Sequence, residues 1–194
     1  VSDDSPTIAQ PSIPIVKGSA FVQSTYEIAA DAPTLANEIA TMVAFEKDRL
    51  ESVAFVTGSG SGEPTGIITA LTGGSSVVAS ITTDTLALAD VYALDAALPA
   101  RFAAGGSWLA HRAIYNKMRQ FDTGGGNGLW GQLGDGRKAE LLGRPDYVAE
   151  AMDGTITALS DNLVLVFGDF SNFVIADRAG ASMRFVAEIP GANG

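Results

Sequence analysis

Residues 35–67 read LANEIATMVAFEKDRLESVAFVTGSGSGEPTGI, and this stretch decides the fold of the chain. Neither glycine nor proline occurs in 35–55, and the charged run Glu46-Lys47-Asp48-Arg49 separates apolar residues that recur at mostly helical spacing. Asp31 is suited to cap a helix, and Pro33 is tolerated in its first turn. The stretch predicts a helix of about 22–25 residues, roughly 33–37 Å long. A helix of that length in a small chain is expected to form a spine along which other elements pack.

The spine helix is expected to end at Thr57, where a glycine-rich loop begins. Gly58, Gly60, Pro64 and Gly66 are predicted to shape this loop, because glycine allows positive φ and proline prevents the helix from restarting. Glycine-rich loops can also cradle phosphate, but this one follows a helix and lacks a Gly-Lys-Ser/Thr sequence. It would present the negative end of the helix dipole to an anion, so the pattern favours a structural role.

Short strand-like runs alternate with two shorter helices in the rest of the chain. Thr83 and Asp84 are expected to cap the second helix, which ends before Pro99, and residues 113–121 to form the third. Runs with strand character lie at 13–16, 20–22, 77–79, 107–110, 141–148, 163–167, 173–176 and 183–186. The sequence therefore predicts an α+β fold with three helices and six to eight short strands.

Composition excludes several classes of function. The 194 residues include no cysteine, which removes disulfides, thiolate nucleophiles and cysteine-ligated zinc, and the single histidine cannot build a multi-histidine metal site. The net charge of −10 disfavours broad non-specific DNA binding. No apolar run approaches the roughly 20 residues of a membrane span, and residues 1–6 do not resemble a signal peptide. A first residue other than Met suggests a processed chain or a fragment.

No group of residues in the sequence forms a convincing catalytic, cofactor or metal site. His111 could act as a general base with Ser107 or Asp122, but no Gly-x-Ser-x-Gly elbow presents a nucleophile. We therefore expect neither catalysis nor a cofactor. Large apolar anchors, either in the core or at a subunit interface, are expected at Phe21, Tyr26, Trp108 and Trp130.

Four motifs in order carry a resemblance to a known family. They are the helix ending in Gly58-x-Gly60 with Pro64 and Gly66-Ile67, the segment 107–122 ending in an aromatic-Asp pair, Leu-x-Gly-x-Pro at 141–145, and Gly-Asp-Phe at 168–170 followed by Asp177-Arg178. This layout, over about residues 20–186, resembles that of tailed-bacteriophage major capsid proteins. The chain would lack the N-terminal arm, part of the extended loop and the last C-terminal strands of that family.

The resemblance implies a fold with a peripheral and an axial domain built around the spine helix. Residues 1–30 would be the end of the extended loop and a peripheral strand, and 31–66 the spine helix and glycine loop. The axial domain would span 67–168, and 169–194 would return to the peripheral domain. The resemblance also implies a structural subunit of an icosahedral phage or prophage shell, in the virion and assembled in the bacterial cytoplasm.

The partners implied by the resemblance are chiefly other copies of the chain, in hexamers and pentamers. Scaffold, portal or decoration proteins would be further partners, and DNA would be enclosed rather than specifically bound. No membrane partner is expected. The acidic balance would give a shell lining that does not retain the genome during packaging.

Three alternatives to a phage capsid remain at this point. An encapsulin-type nanocompartment shell shares the fold and encloses enzyme cargo in place of DNA. A small hydrolase would use His111 with Ser107 or Asp122. A generic ligand-binding module would be stabilised by its small-molecule ligand.

Overall fold

The computed structural model describes residues 13–22, 34–121 and 140–177. The chain divides into two compact units, one comprising 1–47 with 175–194 and the other 48–174. Most of the regular structure lies in the second unit. The predicted domain boundaries after residues 30, 66 and 168 stay a prediction.

The predicted long helix is present as α1, Leu35–Thr57, with 23 residues. It is followed by α2 (Ile67–Leu71), α3 (Leu88–Ala97) and α4 (Ala100–Ala103). Ala54 is the buried residue of α1, whereas Met42, Phe45 and Leu50 are exposed. The apolar stripe expected to pack along other elements is therefore left largely uncovered within a single chain.

A four-stranded sheet organises the second unit. Its strands are β1 (Ser107–Ala110), β2 (Glu140–Leu141), β3 (Arg144–Val148) and β4 (Leu165–Gly168), in the order β2-β3-β1-β4. β1 is parallel to β3, with Trp108 opposite Asp146, and antiparallel to β4, with Trp108 opposite Phe167. The helix α5 (Arg112–Arg119) follows β1, and a 3-10 turn at Phe170–Asn172 follows β4.

One face of this sheet carries the hydrophobic core. Trp108 and Ala110 point to that face because side chains alternate along a strand, and both are fully buried. The Tyr115 hydroxyl donates to the carbonyl of Tyr147 at 3.0 Å, and burial raises the pKa of Tyr115 well above its ordinary value. The buried cluster comprises Leu86, Val91, Trp108, Ala110, Ile114, Tyr115, Met118, Leu141 and Phe167.

Several predicted strands are absent from the described residues. The runs 13–16, 20–22, 77–79 and 173–176 are irregular, and the residues that the structure describes form four strands. A strand needs a neighbour to complete its hydrogen bonds, and strand propensity alone does not provide one. The predicted strand at 183–186 and the predicted cap residues of α1 lie outside the described residues.

The helix predicted to begin at Thr83 and Asp84 is α3, and it begins later, at Leu88. Asp84 has a left-handed backbone with φ of 56°, which is incompatible with a helix start there. The cap is instead the Asp90 carboxylate, which accepts hydrogen bonds from the backbone of Ala87 at 2.7 Å and of Ile81 at 2.8 Å. Asp90 is buried, and the Ser80 hydroxyl lies 3.0 Å from its second oxygen, so the carboxylate ties the loop before α3 to the helix.

Candidate assembly surfaces

The glycine loop folds back against the end of α1. The backbone N–H of Gly66 donates to the carbonyl of Gly58 at 2.8 Å, and Ser59 forms an antiparallel bridge with Thr65. A Cβ on Gly58 would lie 2.2 Å from the carbonyl oxygen of Pro64, and one on Gly66 would lie 2.5 Å from the nitrogen of Gly58. Glycine is therefore required at both positions by close backbone approach.

A carboxylate lies inside this loop. Glu63 Oε1 accepts hydrogen bonds from the Ser59 backbone at 2.8 Å and the Ser59 hydroxyl at 2.7 Å, which lowers the pKa of Glu63. Gly60 and Gly62 have positive φ, 79° and 73°, at the two sides of the tip. Because the loop's own carboxylate takes these donors, the loop is unsuited to binding phosphate, and its geometry fits the predicted structural role.

The four predicted aromatic anchors have different surroundings. Trp108 is a core residue: its ring stacks on Phe167 with centroids 4.2 Å apart, and its indole N–H donates to the carbonyl of Leu141 at 3.0 Å. Phe21 is 72% exposed, as an interface residue would be in a free subunit. Tyr26 and Trp130 lie outside the described residues.

His111 serves as the N-cap of α5. Its Nδ1 accepts a hydrogen bond from the backbone of Ala113 at 3.0 Å, and its Nε2 lies 2.8 Å from Glu150 Oε2. Ser107 begins β1 and His111 follows its end, so the two are separated by about 13 Å of strand. Both ring nitrogens have partners and Ser107 is distant, so these two residues do not form a nucleophile-base pair. Asp122 lies outside the described residues.

An open groove of about 620 Å³ lies on the second face of the sheet, which the sequence did not reveal. The residues that line it are Gly105, Ser107, Leu109, Tyr147, Asp169, Phe170 and Ser171. Leu109 and Tyr147 are opposite each other in the β1–β3 pair, and Tyr147 is 56% exposed. The only sequence signal was strand alternation, which places residues 107 and 109 on the face opposite Trp108.

Exposed apolar side chains are numerous across both units. In the first unit they lie on residues 13–22, on α1 up to Lys47 and at Ile175. In the second unit they occur on the rest of α1 and on several loops and strands. The larger ones include Ile15, Phe21, Val22, Met42, Phe45, Leu50, Ile81, Tyr147, Leu159 and Val174. So much exposed apolar surface is characteristic of proteins that bury it against partners.

The described residues hold no group of three or more His, Asp or Glu arranged to bind a metal ion. Within the same ranges, no helix is long and apolar enough to cross a membrane. The described surfaces therefore comprise exposed apolar side chains, a glycine loop packed against its own backbone, and a histidine that caps a helix.

The chain belongs to the Phage capsid family, whose model matches residues 1–189. This confirms the family that the four motifs indicated. No curated protein sequence matches the chain significantly.

Solved capsid structures resemble this one. One is the capsid of a native GTA particle, computed with C5 symmetry, which is 25% identical in sequence and gives a TM-score of 0.64. The match covers 88% of this chain and 63% of that one. The capsid of an empty GTA particle gives 24% identity and a TM-score of 0.66, with 88% and 64% coverage. The predicted α+β capsid fold is thereby confirmed, and the chain spans less than two thirds of the length of these two relatives.

Proposed function

We propose that this chain is a structural subunit of an icosahedral phage or prophage shell that assembles into hexamers and pentamers around packaged DNA. The observation that carries the proposal is the family match over residues 1–189. The surface supports it, since the apolar side chains of α1 and of residues 13–22 are exposed in the single chain. Burying each large apolar side chain at a subunit contact contributes about 1.5–3 kcal/mol.

The remaining partners and the location follow from the same proposal. Scaffold, portal or decoration proteins would contact the assembled shell, which would form in the host cytoplasm and become the virion capsid. The net charge of −10 supports enclosure of DNA without specific binding. Assembled shells soaked with short duplex DNA at low salt should retain little of it, and tight binding would contradict a non-adhesive lining.

The test of assembly is sedimentation velocity with negative-stain microscopy on the protein expressed from its complete gene. Shells, rings or capsomers are expected. A monodisperse monomer at high concentration would contradict the proposal. Nucleic acid inside particles recovered from the host supports a phage shell, whereas enclosed protein cargo would assign the chain to a compartment instead.

A matched pair of variants tests whether the exposed apolar side chains of α1 form a subunit contact. Phe45 is 69% exposed, so Phe45→Gln should leave the thermal stability of the unassembled subunit nearly unchanged while weakening assembly. Phe45→Leu keeps an apolar side chain and should assemble. Equal assembly of both variants would show that this face of α1 is not a subunit contact.

A further inference from the structure

Leu159 has the most exposed large apolar side chain in the described residues. It is 96% exposed, against 72% for the next, Phe21. Its backbone is also left-handed, with φ of 61°, a conformation that favours glycine or asparagine. A leucine here costs the isolated subunit both backbone strain and an unburied side chain, which gains almost no apolar contact within the subunit.

Hydrogen bonds hold Leu159 in this position. The Asn162 carboxamide accepts from the Thr157 backbone at 3.0 Å and donates to the carbonyls of Thr157 and Ser160, each at 2.8 Å. The Leu159 N–H donates to Asp84 Oδ1 at 3.1 Å, linking the loop to the segment before α3. The loop 157–162 therefore presents the leucine in a fixed conformation, which reduces the ordering entropy of a contact made there.

The open groove described above lies at the opposite end of the sheet from this loop. The loop precedes β4, whose first residue, Leu165, is opposite Ala110 at the end of β1. The groove includes Phe170, just after the last residue of β4, and Ser107 at the start of β1. A copy of the chain therefore presents its leucine at one end of the sheet and an apolar groove at the other.

Charge favours contact between these two ends over contact between two identical loops. The loop end carries Asp84, Asp153 and Asp161, and no Lys or Arg occurs in 63–100 or 145–177. Arg112, at the start of α5 near the same end of the sheet, is paired with Glu150 at 3.2 Å. At the groove end, Arg144 donates to the carbonyl of Ala104, which adjoins the groove residue Gly105, and Arg101 stacks over Phe102 in α4. The groove end also carries the carboxylates Glu140, Asp146 and Asp169, but its two arginines are cations that a second leucine loop does not offer to the aspartates of the first. Two leucine loops facing each other would instead bring like charges together.

We infer that Leu159 of one copy inserts into the groove lined by Leu109, Tyr147 and Phe170 of the next copy. This inference rests on the proposed shell function and names a contact within it. Two different surfaces meet, so the contact is head-to-tail, the type that closes rings. One leucine buries far less than the roughly 800 Å² per partner of a stable interface. The contact is therefore an anchor within the larger surface that neighbouring copies share.

Cysteine cross-linking tests the contact directly, since the 194 residues have no cysteine. The double variant Leu159→Cys with Tyr147→Cys, in the full-length protein, should give a ladder of disulfide-linked multimers after mild oxidation of assembled particles. Pairing Leu159→Cys with Val148→Cys is the control, because Val148 lies on the other sheet face and is also exposed. A ladder in both, or in neither, overturns the inference.

A second pair of variants separates the contact from the fold. Leu159→Asn suits the left-handed backbone, so the thermal midpoint of the unassembled subunit should stay equal or rise, while the concentration needed for assembly rises at least about tenfold. Leu159→Met should assemble like the wild type. If Leu159→Asn assembles normally, the inferred Leu159 contact is wrong and the proposed shell function is unaffected. If the wild-type protein never assembles, both the contact and the shell function are wrong.

Discussion

Trp108→Ala is the substitution whose cost can be derived most directly from the structure. The side chain is fully buried between β2, β4 and α5, so its removal leaves a large cavity, at a cost of about 3–5 kcal/mol. It also leaves the carbonyl of Leu141 without its indole donor, which adds about 1–3 kcal/mol if no water reaches that carbonyl. We expect a total of about 4–8 kcal/mol, which is comparable to the whole free energy of unfolding of an ordinary domain, about 5–15 kcal/mol.

Urea unfolding of the unassembled subunit, followed by circular dichroism, measures this loss. Trp108→Phe is the matched variant: it keeps an aromatic ring against Phe167 but removes the N–H donor, and should cost about 2 kcal/mol. If Trp108→Ala does not fold at all, the Trp108→Phe midpoint still tests the hydrogen bond. A loss below about 1 kcal/mol for Trp108→Ala, the size of a surface effect, would refute the central role of this residue.

Three further predictions concern the glycine loop and the cap of α3. Gly58→Ala should lower the thermal midpoint clearly more than Gly168→Ala, because its Cβ meets the carbonyl of Pro64, whereas a Cβ on Gly168 meets open space and its backbone is not left-handed; equal shifts would contradict the backbone contact. Asp90→Ala leaves two backbone donors unpaired and should cost about 2–4 kcal/mol in urea unfolding, and a loss under half of that would show that another group caps the helix. Glu63 has a pKa lowered from 4.5 by hydrogen bonds from Ser59, so its contribution to stability is present above pH 4.5 and is lost as pH falls through the lowered pKa. An NMR titration of the Glu63 carboxyl group should show this lowered pKa, and Ser59→Ala should raise it toward 4.5.

The sequence predicted the elements that are stabilised by hydrogen bonds between residues close together in the chain. α1 was predictable from 35–57 alone, because helical hydrogen bonds join residues four apart and nothing in the stretch interrupts them. The end of α1 at Gly58 and the presence of β1 and α5 followed from similarly short-range patterns. Four short motifs in a fixed order indicated the family, and the match over residues 1–189 agrees with them.

Elements that depend on distant partners could not be predicted in this way. The run 77–79 has strand-like residues but no ladder partner among the described residues, whereas the two-residue β2 exists because β3 pairs with it. The start of α3 was misplaced because its cap is the side chain of Asp90, inside the helix, in place of a residue before it. Sequence propensity contains no information about which segment will lie alongside another.

Some features of the functional surfaces could be predicted from the sequence, and others required the tertiary structure. Sequence alone determined a long amphipathic helix, a glycine loop and an acidic chain without cysteine, since these depend on composition and near neighbours. Tertiary structure alone decided that Trp108 is core, that His111 is a helix cap and that Leu159 is exposed. It also decided that an apolar groove remains open beside Tyr147. Burial and exposure are sums over contacts from distant parts of the chain, and those contacts exist only once the chain has folded.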